Sequence, residues 1–161
     1  HEIKKGGVLK VHTDFNKHPS LNIDRRLNVL IYLNKNWRKE YGGDLELWDR
    51  EMRNCKKKIS PNFNKMVIFS TNDYSYHGHP DPVDCPLDLS RKSLALYYFS
   101  QGRPSTELNL NKVKNQTYFE DRYGFKNETN SQSKSLKNYL RRFKLYKLMK
   151  DVEKKYFRKK K

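Results

Sequence analysis

The sequence predicts an all-β sandwich or barrel followed by an amphipathic basic helix. Three observations predict it: several short runs rich in branched and aromatic residues, turn signals between those runs, and no helical period before residue 105. Only 35% of the 161 residues are hydrophobic, but the 11 Tyr, 8 Phe and 2 Trp each bury a large area and can close a modest core. A chain of this length has room for one domain with an appendage and would be cramped as two.

Residues 8–14 read as the first strand and residues 27–33, Leu-Asn-Val-Leu-Ile-Tyr-Leu, as the second. Alternation puts Asn28, Leu30 and Tyr32 on one face of the second strand and Leu27, Val29, Ile31 and Leu33 on the other, so both faces are expected to be covered. Gly42-Gly43 makes a turn before a short strand over 44–48, whose Leu45 and Leu47 point one way. A basic hairpin or loop follows. Its Lys56, Lys57 and Lys58 read as a phosphate-contacting patch or, more commonly, as a solvated loop or an edge strand whose lysines discourage aggregation. Residues 61–64 turn the chain into a buried strand over 66–69. Residues 72–73 and 80–82 are loops, and 92–99 is the last strong strand before the Gly102-Arg103-Pro104 stop. Residues 105–133, unpatterned and rich in Asn, Ser and Thr, read as a linker. From Ser135 onward Leu136, Leu140, Phe143, Tyr146, Met149, Val152 and Tyr156 recur at threes and fours, which describes a helix over 134–161 with a lysine and arginine face opposite its apolar stripe.

The net charge of +17 is uneven: residues 1–104 hold 18 Lys and Arg against 12 Asp and Glu, whereas 105–161 hold 17 against 6. Such a tail, with Arg141, Arg142 and the lysines from Lys154 to Lys161, can make weak contact with nucleic acid or another anionic surface. Compositional drift in an A/T-rich genome gives the same excess, and the packing of the helix stripe on the barrel would leave its charged face simply wet. Cys55 and Cys85 stand 30 residues apart without a C-x-x-C, so neither a zinc knuckle nor a disulfide framework is indicated. The expected setting is the cytoplasm or another reducing intracellular compartment. No apolar run approaches the ~20 residues of a membrane span, and no secretory segment opens the chain. The first residue is His1, so the expectation is a fragment or a processed chain.

His12 and Asp14 lie two residues apart on the first strand, which sends alternate side chains to one face, so both can grip one ion. By itself that spacing is common and more often means a surface hydrogen bond. A third imidazole follows at His77, in Ser75-Tyr76-His77-Gly78-His79, where His79 is the rival two positions on; His18, before Pro19, reads as a surface loop residue. Two histidines and one carboxylate with open coordination positions make the facial triad of a non-haem Fe(II) oxygenase. Arg91 and Ser93 share a face at the start of the last strand, and a guanidinium buried there needs an anionic partner.

Four blocks in order carry more weight than any one motif: residues 26–37, residues 41–47, the segment from Met66 to His77, and Arg91-Lys92-Ser93. Their succession resembles the prolyl 4-hydroxylase-like family of Fe(II)/2-oxoglutarate dioxygenases, over roughly residues 4 to 100. The resemblance implies a double-stranded β-helix, or jelly-roll, core over 1–104. It implies iron on His12, Asp14 and His77, the last set ahead of His79 by the family's S-x-H pattern. The distal carboxylate of 2-oxoglutarate would bind Arg91 and the Tyr32 hydroxyl, with Ser93 beside them. Fe(II), 2-oxoglutarate and O2 would be the cofactors, with ascorbate as an accessory reductant; the reaction would release succinate and CO2 and hydroxylate a protein or small molecule, peptidyl-proline being the first guess. Two departures stand out. His77 and Arg91 are 14 positions apart, longer than the family's usual gap, so residues 80–88 form an insert near the site; and only about eleven residues precede His12, so the upstream strands are missing or replaced. Competing readings are an oxidative demethylase of nucleic acid and a non-catalytic β-sandwich binding module that uses the basic tail.

Overall fold

The computed structural model describes residues 1–112 and 116–122, which form two antiparallel sheets and almost no helix. The helix expected over 134–161 lies outside the described residues, as do most of the basic side chains of the tail. The strands are β1 (Glu2–Ile3), β2 (Leu9–Thr13), β3 (Asp24–Tyr32), β4 (Leu45–Trp48), β5 (Cys55–Ile59), β6 (Met66–Ser70), β7 (His77–His79), β8 (Arg91–Ser100) and β9 (Tyr118–Phe119). One sheet has the order β1-β8-β3-β6 and the other β5-β4-β7-β2-β9. Among the described residues no helix is long and apolar enough to cross a membrane, and Cys55 and Cys85 are both free thiols.

Alternation in β3 and β8 decides what meets between the sheets. Tyr32 is wholly buried and packs with Val67 of the same sheet and Leu45 of the other, with Leu30 and Phe69 against them. The opposite face of that sheet differs from the sequence expectation. Val29 is buried, but Leu27 and Leu33 are exposed, as are their neighbours Met66, Ile68, Leu94 and Leu96. Only one face of β3 is therefore covered in full among the described residues.

Two local irregularities matter for the interior. Between Arg25 and Leu27 the β3–β8 register shifts, and this bulge turns Arg25 inward together with Asn28, leaving Leu27 outside. A second shift lies between Leu9 and His12, where β2 pairs with β7. There Gly78 brings the backbones unusually close: a Cβ at that position would sit 2.7 Å from the Leu9 carbonyl oxygen and 2.8 Å from that of Lys10. Any side chain at 78 would push β7 away from β2 and separate His77 from His12.

The segment read as a linker contributes structure. Residues 105–107 make a 3₁₀ turn, and β9 pairs with β2, setting Phe119 opposite His12. Lys112 ties this segment down: its ammonium donates to the Asp73 carbonyl at 2.6 Å and to the Thr13 hydroxyl at 3.0 Å, over the Tyr76 and Tyr118 rings. Asp73 in turn accepts from the Asn109 backbone at 2.6 Å and from the Asn16 amide.

Candidate active site

β2 and β7 are adjacent antiparallel strands, and His12 lies directly across from His77. Asp14 follows β2 by one residue and stays on the His12 side of the strand. One ligand atom from each of His12, Asp14 and His77 lies within 4.8 Å of the others, and His79 is not in this group. Asp14 Oδ1 is 3.6 Å from His12 Nε2, and Asp14 Oδ2 is 3.4 Å from His77 Nε2. Both rings are 5% exposed, so water does little to shield the cluster.

The orientation of each ring is fixed from behind. His12 Nδ1 donates to the Lys10 carbonyl at 2.8 Å, and His77 Nδ1 donates to the Ser75 carbonyl at 2.9 Å. A carbonyl oxygen can only accept, so each Nδ1 must carry hydrogen, and in the neutral ring the lone pair falls on Nε2. Two lone pairs and a carboxylate then face one another in a buried space. That arrangement is repulsive unless protons on the rings or a metal ion lie among the three groups, and its donor set and backbone-anchored rings fit a divalent transition metal. Phe69 and Phe119 flank the rings at 4.6 Å from His77 and 5.3 Å from His12.

Asp14 is itself held. Its Oδ2 accepts from Arg25 Nη2 at 3.0 Å and from Asn28 Nδ2 at 2.8 Å. Arg25 is 3% exposed, lies with its guanidinium carbon 3.9 Å from the centre of the Tyr97 ring, and also donates to Asn28 Oδ1. Burial alone would raise the Asp14 pKa, but the His12 and His77 rings and the Arg25 guanidinium outweigh it and hold the carboxyl well below the usual carboxylate range. Arg25 is absent from the sequence-derived site. Regular alternation from Asn28 points to Arg26, and only the bulge brings Arg25 inside.

The second cluster lies on β3 and β8. Tyr32 and Ser93 are cross-strand partners and Arg91 is two residues before Ser93, so all three share the inner face, and all are buried. Arg91 Nη2 donates to the Tyr32 hydroxyl at 3.4 Å, and Arg91 Nε donates to the Gly43 carbonyl at 2.7 Å. Among the described residues no carboxylate pairs with Arg91. Burial pushes its pKa down, with Tyr32 and Asp44 opposing, and burial pushes the Tyr32 phenol up. A guanidinium so placed is a ready seat for an anion. Gly43, at φ +73°, is required here, because a Cβ would lie 2.9 Å from Arg91 Cδ and 3.2 Å from Val83 Cγ2. Val83 is 1% exposed and belongs to the insert of residues 80–88, which thus packs beside Arg91 as expected of it.

His79, the rival in the sequence, is 2% exposed, and neither ring nitrogen has a hydrogen-bond partner among the described residues. Burial, then the charges of Arg91 and His12, push its pKa down to about 4, so the ring is neutral near pH 7. His18 instead accepts backbone hydrogen bonds from Ser20 and Leu21 in an exposed loop. Lys58 of the basic strand pairs with the buried Glu46 at 2.7 Å.

Comparison with known proteins agrees with this geometry. Residues 1–99 match the family model described as the 2OG-Fe(II) oxygenase superfamily. The chain is also similar to the mouse (Mus musculus) protein named prolyl 3-hydroxylase OGFOD1, with 28% identity over 88 residues, a stretch covering 51% of this chain and 16% of that relative. The matched stretch is thus a small part of the relative's length.

Proposed function

Because the chain belongs to the 2OG-Fe(II) oxygenase superfamily, we propose that it is an Fe(II)- and 2-oxoglutarate-dependent dioxygenase that hydroxylates a C–H bond of its substrate. His12, Asp14 and His77 hold the iron, and Arg91, Tyr32 and Ser93 seat the cosubstrate. The observation that carries the reading is the convergence of the three donor groups with both histidine Nδ1 atoms already committed to backbone carbonyls. The two sheets, joined by inward side chains, support a double-stranded β-helix, or jelly-roll, core.

Bound Fe(II), with 2-oxoglutarate and O2, supplies the oxidation that couples release of succinate and CO2 to hydroxylation. The chain's residues make that chemistry local. His12 and His77 would hold the ion through Nε2 lone pairs presented from adjacent strands, and Asp14 would add a negative charge. Arg25 and Asn28 hold Asp14 Oδ2, so the carboxylate does not rotate away. Arg91 and the Tyr32 hydroxyl offer charge-assisted hydrogen bonds to the far carboxylate of 2-oxoglutarate, and the buried guanidinium gains its missing anion. Phe69 and Phe119 limit water beside the rings. Peptidyl-proline is the substrate class placed first, supported by the likeness to a protein named as a prolyl 3-hydroxylase.

An anaerobic titration of the chain with Fe(II) and 2-oxoglutarate tests this directly, since the chelate has a metal-to-ligand charge-transfer absorption. A band that appears in the native chain and is lost in His12→Ala supports the reading; a folded chain that binds both without a band, or binds neither, overturns it. In the same assay Arg25→Met is expected to weaken Fe(II) binding by about ten-fold or more, as for other residues that orient a metal ligand. Unchanged affinity would mean that Asn28 alone orients Asp14.

A further inference from the structure

We propose that His79 is a further cosubstrate-binding residue, donating a hydrogen bond from its imidazole N–H to the distal carboxylate of 2-oxoglutarate beside Arg91 and Tyr32. This rests on the function proposed above and adds a residue to it.

The starting point is the unmet hydrogen-bonding capacity of His79. It is 2% exposed, and both ring nitrogens lack a hydrogen-bond partner among the described residues. Buried polar atoms are almost always paired with protein, water or ligand, so two orphaned atoms on one ring need an explanation. A neutral imidazole keeps one donor and one acceptor, and the donor suits a carboxylate.

Position along β7 points to which carboxylate. His77 and His79 are alternate residues of one strand and project from the same face, with His79 advanced by about 7 Å. His77 stands across from His12 at the metal donors, whereas His79 stands across from Leu9. Continuing from His79 the chain reaches Val83, whose Cγ2 and Arg91 Cδ crowd the same point above Gly43. β7 therefore leads from the metal donors toward the guanidinium, and His79 is one step along it. That span is of the order of the carbon chain separating the chelating end of 2-oxoglutarate from its far carboxylate. Gly78 lets β7 lie close against β2, because the Leu9 and Lys10 carbonyl oxygens leave no room for a side chain there.

The test compares two five-carbon 2-oxo acids, 2-oxoglutarate and 2-oxopentanoate, which ends in a methyl group in place of the far carboxylate. Each is titrated anaerobically into the Fe(II)-loaded full chain, following the charge-transfer absorption as a binding signal. His79→Phe, which fills the same space without a donor, is expected to raise the Kd for 2-oxoglutarate by about ten- to a hundred-fold, the effect of one hydrogen bond to a charged group. It should leave Fe(II) affinity and the Kd for 2-oxopentanoate unchanged. His79→Gln, which keeps an N–H, should retain most of the 2-oxoglutarate affinity, and His79→Leu substitutes for the Phe variant if that chain does not fold. An unchanged Kd for 2-oxoglutarate overturns the proposal, with water as the ring's partner; so does an equal loss for both acids, which would make His79 a wall of the pocket. No band in the native chain would instead sink the parent reading, an outcome distinct from a band that the variants leave unmoved.

Discussion

Asp14→Ala is expected to abolish Fe(II) binding and to destabilise the metal-free chain as well. The first effect follows from the donor set, since two neutral imidazoles without the carboxylate lose the only anionic ligand of the group. The second follows from what Asp14 does for Arg25. That guanidinium is 3% exposed and is committed to Asp14 Oδ2 and to Asn28 Oδ1. Removing the carboxylate leaves a buried cation with a neutral amide and the Tyr97 ring but no counter-charge, and breaking a buried pair in this way costs roughly 3–5 kcal/mol. Anaerobic iron titration and denaturant unfolding of the metal-free protein measure the two effects separately. Full iron binding by the variant would show that Asp14 is not a ligand; unchanged unfolding would show that Arg25 finds another partner.

Arg91→Ala is expected to behave in the opposite way. Iron binding should survive, because Arg91 belongs to the other sheet and touches none of the three donors, while 2-oxoglutarate affinity should fall by roughly a hundred-fold or more, as when one side of a buried hydrogen-bonded charge pair is truncated. Arg91 has no carboxylate partner among the described residues, so its removal deprives no buried anion of its counter-charge and the stability penalty should be far smaller than for Asp14→Ala. Lysine is expected to rescue poorly, since the fork that bonds the Gly43 carbonyl at 2.7 Å and reaches Tyr32 cannot be reproduced by a single ammonium. Charge-transfer titration reads both variants, and unchanged cosubstrate affinity in Arg91→Ala would remove Arg91 from the site.

The strands carrying branched and aromatic runs were legible because burial on one or both faces leaves a hydrophobic record. Residues 66–69 and 92–99 agree with β6 and β8 to within a residue or so at either end, and 27–33 with most of β3. The elements that escaped notice are short. β7 is His-Gly-His, three residues with no strand signature, held in place by the Gly78 approach to β2 and by what its histidines face. β9 is two residues long and forms because Lys112 anchors the chain ahead of it. The three groups that converge, His12, Asp14 and His77, were named from the spacing on the first strand and from the resemblance that set His77 ahead of His79. Arg25 was not, since a bulge breaks the period of two on which any facing argument depends. The unpaired state of His79 was equally out of reach, because a sequence records donors and acceptors but not which of them find one another.

The pairing of β3 with β8 also sets the order in which this protein can form. Asp24 meets Ser100 at one end of the ladder and Tyr32 meets Ser93 at the other, and the amino group of His1 bonds the Ser93 carbonyl at 2.8 Å. Neither partner of these contacts is near the other in the chain. A ribosome must therefore release β8 before β1 and the second edge of β3 have their neighbours, and until then β3 can pair only with β6. Such non-local topology closes slowly and leaves sticky edges waiting. His12 and His77 are likewise distant in sequence and meet only when β2 pairs with β7, so the groups proposed to hold iron come together only after the first seventy-nine residues have been made.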